Sequence, residues 1–298
     1  MTSAGPSAVS ELNYRWLLPG MLVTLLVSLS VHVYMLQVLR IPFPDFEGVG
    51  LWARLLNTAL ALFALIAVCR AAQPRLGWFS KGTQCIIVFL LYAMLKESFR
   101  GILMNGVVTT GWWFDVVAGL PGLAYAFVLS SLVVFLTPVL RNFWARVGGA
   151  AVLTGFATFA IRPVLGIIFA PALKAVAHLD HPEVYAFPYG WQVLIPAYIT
   201  YAEPVIACMC IAYLVWGRLS AKIGMRIPQF CLLILSIRGM LLPTFVYSFY
   251  SKAKLPMAML SESQFLFETL ALAILTAVVW QVSTKTSTLH SDVGTSAL

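Results

Sequence analysis

Long runs of apolar residues constrain the fold of this chain more than any other feature of its sequence. A helix that crosses a bilayer needs about 20 mainly apolar residues, because each residue adds about 1.5 Å to a hydrocarbon path of about 30 Å. Eight segments of the 298-residue chain meet this requirement, at 16–37, 51–69, 85–106, 116–139, 148–171, 191–216, 230–250 and 264–282. The pattern predicts an all-α polytopic membrane protein with about eight transmembrane helices.

The composition excludes several other classes of protein. Hydrophobic residues make up 61% of the chain and charged residues 10%, against about 45–50% and about 25% in soluble domains. A disordered chain would need low hydrophobicity and high charge, and a small disulfide-built scaffold would be rich in paired cysteines. The net charge of +8 belongs to the loops between apolar segments. It therefore indicates membrane topology and not nucleic-acid binding, and the first predicted partner is the lipid bilayer.

Lysine and arginine are concentrated in every second loop. The loops after the second, fourth and sixth predicted helices contain Arg70, Arg75, Lys81, Arg141, Arg146, Arg218, Lys222 and Arg226. Short basic loops stay in the cytoplasm, so both termini are predicted to be cytoplasmic. The expected organisation is a cytoplasmic segment 1–15, a single membrane domain 16–282 and a cytoplasmic tail 283–298, in a bacterial cytoplasmic (inner) membrane.

Eight ionisable residues fall inside the predicted spans. They are Arg54, Lys96, Glu97, Arg100, Arg162, Glu203, Arg238 and Glu268. A charge at the centre of a membrane helix costs about 2.5–3.5 kcal/mol, so these side chains should face one another or water. Five cations against three carboxylates leave a formal charge of +2. This excess predicts a basic cavity, open to the outer side, with Arg54 and Glu268 within about one helical turn of the outer surface.

Residue spacing refines this prediction in the second and third helices. Lys96 and Arg100 are four residues apart and would share a helix face, while Glu97 can pair with Arg100 three residues later. Of the two cations, Lys96 is then less fully neutralised than Arg100. Asn57 shares a face with Arg54 in the same way and adds a neutral donor and acceptor.

Four of the charges stand next to residues that weaken helices. The pairs are Arg100–Gly101, Arg162–Pro163, Glu203–Pro204 and Arg238–Gly239. Proline removes a backbone donor, and broken helices with polar groups at the break form the binding sites of many transporters. The sequence therefore predicts interrupted helices around the charged site.

Motifs for a metal or cofactor are weak or absent from the sequence. His178 and His181 lie with Asp180 and Glu183 in one predicted outer loop and are weak candidates for a metal site. A solvated polar loop explains them equally well. No phosphate-binding glycine-rich loop or nucleophile elbow occurs, so no cofactor and no metal are predicted.

Three functions are compatible with these features. The leading hypothesis is binding, and translocation, of an anionic or lipid-linked anionic molecule by Arg54, Asn57, Lys96, Glu97, Arg100, Arg162, Glu203, Arg238 and Glu268, because guanidinium groups match phosphate and carboxylate. The first alternative is an intramembrane enzyme acting at the outer leaflet on a lipid-linked or envelope substrate, with Glu203 or Glu268 as general base. The second alternative is a scaffold, assembly partner or sensor that binds another membrane protein and uses its internal charges as a structural ion-pair network.

Overall fold

The computed structural model describes residues 12–185 and 187–294, and this part of the chain is mainly helical and contains no strand. The helices are α1 (Tyr14–Val33), α2 (Leu51–Leu76), α3 (Lys81–Leu95), α4 (Ser98–Thr109), α5 (Trp112–Leu136), α6 (Phe143–Phe156), α7 (Arg162–Val176), α8 (Trp191–Thr200), α9 (Ala202–Val215), α10 (Ile223–Arg238), α11 (Pro243–Val246) and α12 (Leu255–Gly294). The π turns Tyr34–Val38 and Ala157–Ile161 extend α1 and join α6 to α7. The all-α prediction is confirmed, while residues 1–11 and 295–298 of the predicted terminal segments lie outside the described residues.

Six helical runs are long and apolar enough to cross a membrane, so the chain is a multi-pass membrane protein. They are Tyr14–Val38, Leu51–Leu76, Trp112–Leu136, Phe143–Leu179, Trp191–Arg218 and Leu255–Thr284. A seventh is obtained if α10 and the helical segment Pro243–Tyr250, bent by 68° at their junction, are taken as one broken span. The remaining predicted span, 85–106, is divided between α3 and α4, so the number eight stays a prediction.

The separate helices α3 and α4 together run from one end of the molecule to the other. Just before α3, Arg75 donates a hydrogen bond of 3.1 Å from Nη1 to the carbonyl of Leu214 at the end of α9. Near the end of α4, Asn105 accepts a hydrogen bond from the hydroxyl of Tyr185, in the loop that follows α7. Both helices also pack against the long helix α5. The broken pair covers the residues of the third predicted span, 85–106, and its crossing of the membrane stays a prediction.

Basic residues gather at one end of the helical bundle. The backbone N–H of Asn13 donates to the carbonyl of Ser283 at 3.2 Å, which places the start of α1 beside α12. Arg70 donates from Nη1 to the carbonyl of Leu140 at 3.2 Å, and Arg75 reaches α9 at the same end. Arg70 and Arg75 lie in the last turns of α2 and not in the loop after it. The positive-inside rule predicts that this end faces the cytoplasm.

Helix α9 forms the centre of the bundle and α7 lies at its edge. Helix α9 packs against α1, α2, α3 and α12, and its small buried residues Ala207, Cys208 and Ala212 allow close approach. Helix α7 has no buried residue and packs mainly against α5. Its side chains Ile167 and Ile168 are 75% and 60% exposed, as expected for a surface in contact with lipid.

The last helix begins earlier than the sequence predicts. Helix α12 begins at Leu255 instead of residue 264, and it continues to Gly294 through most of the predicted tail. The polar side chains of Ser261 and Gln264 donate hydrogen bonds of 2.6 and 2.7 Å to the carbonyl of Pro42, which gives both donors a partner inside the helix. Glu268 therefore lies 13 residues, or about 20 Å, into the helix. The sequence places Glu268 four residues after the start of the last helix, so the helix start is corrected and the depth of Glu268 below the outer surface stays a prediction.

Candidate functional site

The eight intramembrane charges fall into two groups in the structure. The first is a buried ion-pair cluster, defined by Glu97, Arg100, Arg238 and Glu268. The second is a basic cavity that contains Arg54, Lys96 and Arg162 in its wall. Glu203 lies beside the cluster. The sequence predicts a single site, and the structure separates it into two neighbouring parts.

In the ion-pair cluster, one carboxylate joins two arginines. Glu97 accepts hydrogen bonds from Arg100 and from Arg238 through different oxygens. Arg238 also donates from Nη2 to Oε1 of Glu268 at 3.0 Å, and the Tyr201 hydroxyl donates to the same oxygen at 2.9 Å. Arg238 and Glu268 are 5% and 2% exposed. Two arginines and two carboxylates neutralise one another here, as the sequence predicts for Glu97 and Arg100.

A break in the third predicted helix brings Glu97 into this position. Glu97 has φ +57° and separates α3 from α4. A left-handed conformation costs a residue with a side chain about 1–2 kcal/mol, which the charge-assisted hydrogen bonds of Glu97 to two arginines can offset. The predicted break at Gly101 is wrong, since Gly101 lies inside α4 and the chain breaks four residues earlier. As a result Lys96 and Arg100, expected on one face, belong to different groups.

The other predicted breaks lie at or beside the proposed residues. Helix α10 ends at Arg238, and Gly239 adopts φ +75°, which an L side chain rarely adopts. The π turn Ala157–Ile161 directly precedes Arg162 and Pro163. Tyr201 separates α8 from α9 just before Glu203 and Pro204.

Glu203 and His32 flank the ion-pair cluster. Oε1 of Glu203 accepts a hydrogen bond of 3.2 Å from the backbone N–H of Phe99, in the first turn of α4. A carboxylate at a helix start satisfies a backbone donor and complements the helix dipole. Nδ1 of His32 lies 4.0 Å from Oε2 of Glu268, and the His32 ring packs against Phe265 with centroids 4.8 Å apart. Both residues therefore have structural partners at the cluster.

The basic cavity has a volume of about 470 Å³, and none of the described residues that line it is a carboxylate. Its polar lining side chains are Arg54, Asn57, Thr58, Tyr92, Lys96, Ser98, Tyr125, Arg162 and Tyr247. These residues come from α2, α3, α4, α5, α7 and the turn after α11, so the cavity depends on the assembled bundle. Asn57 and Arg54 line it together, as their spacing predicts.

The three cations of the cavity have neutral partners. Lys96 donates from Nζ to the carbonyl of Arg238 at 2.8 Å, and Arg54 donates from Nη2 to the carbonyl of Phe46 at 3.0 Å. The guanidinium of Arg162 stacks over the ring of Tyr125 at 5.0 Å from its centroid. Within the described part of the chain no carboxylate oxygen comes within 4.0 Å of any of these three groups. The positive excess that the sequence predicts is therefore concentrated in the cavity.

Two hydrogen bonds connect the cavity to the ion-pair cluster. Lys96 binds the carbonyl of Arg238, and Asn57 donates from Nδ2 to the next carbonyl, that of Gly239, at 3.0 Å. These two carbonyls terminate α10, where the helix dipole favours positive charge. The end of α10 therefore contacts the cavity side chains through its carbonyls and the cluster through the side chain of Arg238.

Several tyrosines belong to the two groups although the sequence analysis did not select them. The ring of Tyr125 stacks against the guanidinium of Arg162, and Tyr247 lines the cavity. The hydroxyl of Tyr201 donates a hydrogen bond to Glu268, and the guanidinium of Arg100 lies 5.2 Å from the centroid of the Tyr201 ring. A tyrosine in an apolar segment can be buried for its ring alone, so composition gives little warning of its role. Tyr201, two residues before Glu203, and the cavity residue Tyr92, four residues before Lys96, stand close to predicted site residues in the sequence.

The histidines of the outer loop do not form a metal centre with their neighbours. His181 pairs with Glu183 at 3.0 Å, and both side chains are exposed. A backbone N–H and the His181 ring hold the pKa of the Glu183 carboxyl below its usual value. His178 is also exposed, and the described residues contain no group of three or more His, Cys, Asp or Glu side chains that could hold a metal. The weak candidates His178 and His181 are therefore not assembled with a third ligand.

Comparison with protein families, with curated proteins and with solved structures finds no match to this chain. Its function is therefore inferred from the chemistry of the cavity and the cluster. The cavity combines a ligand-sized volume with three positive groups, and the cluster beside it is internally neutralised.

Proposed function

We propose that this membrane protein binds an anionic molecule in the basic cavity and moves it across the membrane or out of it. The observation that supports this proposal is that Arg54, Lys96 and Arg162 surround one cavity, and that its lining among the described residues includes no carboxylate. Positive charges at membrane depth are costly unless they meet water or a counter-charge. An anionic ligand supplies that counter-charge, and the cavity volume of about 470 Å³ is within the range of about 300–1,000 Å³ that is usual for ligand pockets.

The broken helices beside the cavity support translocation. Lys96 stands at the break between α3 and α4, and its partner carbonyl belongs to the end of α10, just before the 68° bend. Transporters commonly place substrate groups at such interruptions, where one part of a helix can move relative to the other. Binding at Lys96 would therefore act directly on two interrupted spans.

Catalysis by Glu203 or Glu268 has less support than binding. Neither carboxylate lines the cavity. Glu268 is held by Tyr201 and Arg238, and one oxygen of Glu203 accepts from the start of α4. A general base must reach the proton it removes, and the cavity offers no such contact to these two groups.

The binding proposal is tested by titrating the purified protein with two phosphate probes, glycerol 3-phosphate and dihexanoyl phosphatidic acid. At least one probe should bind saturably, and Lys96→Gln and Arg162→Gln should each weaken that binding about tenfold, because each removes one charge-assisted contact. Lys174→Gln is the matched control, since Lys174 carries the same charge on α7 and does not line the cavity. Absence of saturable binding of both probes, or equal binding by all the variants, would contradict the proposal.

Translocation needs a separate measurement. Proteoliposomes are loaded with the probe that the protein binds. The probe should be released faster from proteoliposomes that contain the wild-type protein than from those that contain Lys96→Gln. If wild-type protein bound the probe tightly but both preparations released it at the same rate, translocation would be contradicted and binding alone would remain.

A further inference from the structure

The basic cavity lies where two neighbouring helices separate. Helix α6 packs against α2, whereas α7, its continuation after the π turn Ala157–Ile161, packs mainly against α5. The chain therefore turns away from α2 at the π turn, and Arg162 is the first residue after it. π turns inside helices are frequently found at functional sites.

The cavity residues lie on both sides of this separation. Arg54, Asn57 and Thr58 come from α2, Arg162 comes from α7, and Gly122 comes from α5 behind them. Arg54, Arg162 and Gly122 are all exposed. A Cβ atom added at Gly122 would meet no atom within 4 Å, so the wall of the cavity is open at this point.

The surfaces that border the opening are apolar. Phe46 lines the cavity and is 45% exposed, and Leu51, three residues before Arg54 on the same face of α2, is 54% exposed. Exposed apolar side chains of this kind on spanning helices contact lipid tails. The cavity is thus open on a side of the bundle that also carries exposed apolar side chains.

We propose that the anionic ligand is the headgroup of a membrane lipid, which enters sideways between α2 and α7 and keeps its acyl chains in the bilayer. This inference rests on the function proposed above and specifies the class of ligand. Three cations favour a headgroup with more than one negative charge, so a phosphate monoester or diphosphate fits better than a phosphodiester. A monoester carries nearly two negative charges at neutral pH.

The first test compares ligands that share one phosphate group. Dihexanoyl phosphatidic acid should bind at least about tenfold more tightly than glycerol 3-phosphate, because burial of a few methylene groups against α2 and α7 suffices for that factor. It should also bind more tightly than dihexanoyl phosphatidylglycerol, whose phosphodiester has a single charge. Dihexanoyl phosphatidylcholine measures the contribution of the chains without a net negative charge. Equal binding of the phosphatidic acid and glycerol 3-phosphate would overturn the lipid inference and leave the anion-binding function intact.

The second test closes the opening with one side chain. Gly122→Phe should weaken binding of dihexanoyl phosphatidic acid at least about tenfold by filling the separation between α2 and α7. Gly148→Phe is the matched control, because Gly148 is a helical glycine on α6 that also has nothing within 4 Å of an added Cβ and does not line the cavity. Unchanged affinity in Gly122→Phe would overturn lateral entry. Loss of binding in Lys96→Gln alone would then support a free anion that enters from the helix end.

Discussion

At the scale of single residues, Glu97 is the group on which the buried charges depend. It accepts hydrogen bonds from two arginines on different helices, and only 15% of its side chain is exposed. Exchanging Glu97 and Arg100 would place an arginine at position 97 against Arg238, so a charge swap within this pair cannot restore the network. Because Glu97 binds both arginines at once, the ion pairs of the cluster are not independent of one another.

Replacement of Glu97 by glutamine should destabilise the protein strongly. Two buried guanidinium groups would lose their shared carboxylate, and breaking a buried ion pair by removing one partner costs about 3–5 kcal/mol. The free energy of unfolding in detergent measures this effect. Glu47→Gln is the control, since Glu47 also pairs with a cation, Lys252, but both side chains are exposed, and exposed pairs contribute little. Similar stability of the two variants would contradict the assigned role of Glu97.

At the scale of elements, the end of α10 connects the cavity to the cluster. Gly239 terminates the helix with φ +75°, and its backbone N–H donates to α10 carbonyls. An added Cβ would lie 3.1 Å from Nδ2 of Asn57 and 3.1 Å from Nζ of Lys96. Both of these groups bind the carbonyls at the helix end. The glycine thus provides both the backbone conformation and the space for two cavity side chains.

Gly239→Ala should therefore reduce both stability and ligand binding. The left-handed conformation costs alanine about 1–2 kcal/mol, and displacement of Asn57 and Lys96 should weaken phosphate binding several-fold. Gly101→Ala provides the comparison, because Gly101 is inside α4 with no atom within 4 Å of an added Cβ. That substitution should be neutral or stabilising by up to about 1 kcal/mol. If the two alanine variants gave the same melting temperature and affinity, the role of Gly239 would be refuted.

The two breaks next to these helices differ in how well the sequence predicts them. The end of α10 is predictable, because a glycine directly follows Arg238 and left-handed glycines commonly end helices. The break at Glu97 is not, since neither Lys96 nor Glu97 is a helix breaker and glutamate favours helices. Its left-handed conformation is stabilised by Arg238, which lies 141 residues further along the chain. Local patterns predict the charges that must be neutralised, but not the helix that bends to bring them together.

At the scale of the whole molecule, the crossing number depends on whether the broken pair α3–α4 spans the membrane. The hydrogen bond from Arg75 to Leu214 and that from Tyr185 to Asn105 place the ends of this pair at opposite ends of the bundle. If the pair crosses, three crossings separate the loop at Trp78 from the loop at His178. If it does not, two crossings separate them, and the two loops lie on the same side.

Cysteine labelling distinguishes these topologies. With a membrane-impermeant maleimide, His178→Cys should react in intact bacterial cells, whereas Trp78→Cys and Ala221→Cys should react only after permeabilisation, because basic loops stay in the cytoplasm. The native cysteines give the background: Cys69, Cys85, Cys208 and Cys231 are buried, and Cys210 is exposed on α9 inside a predicted span. Labelling of positions 78 and 178 from the same side would show that α3–α4 turns back within the membrane.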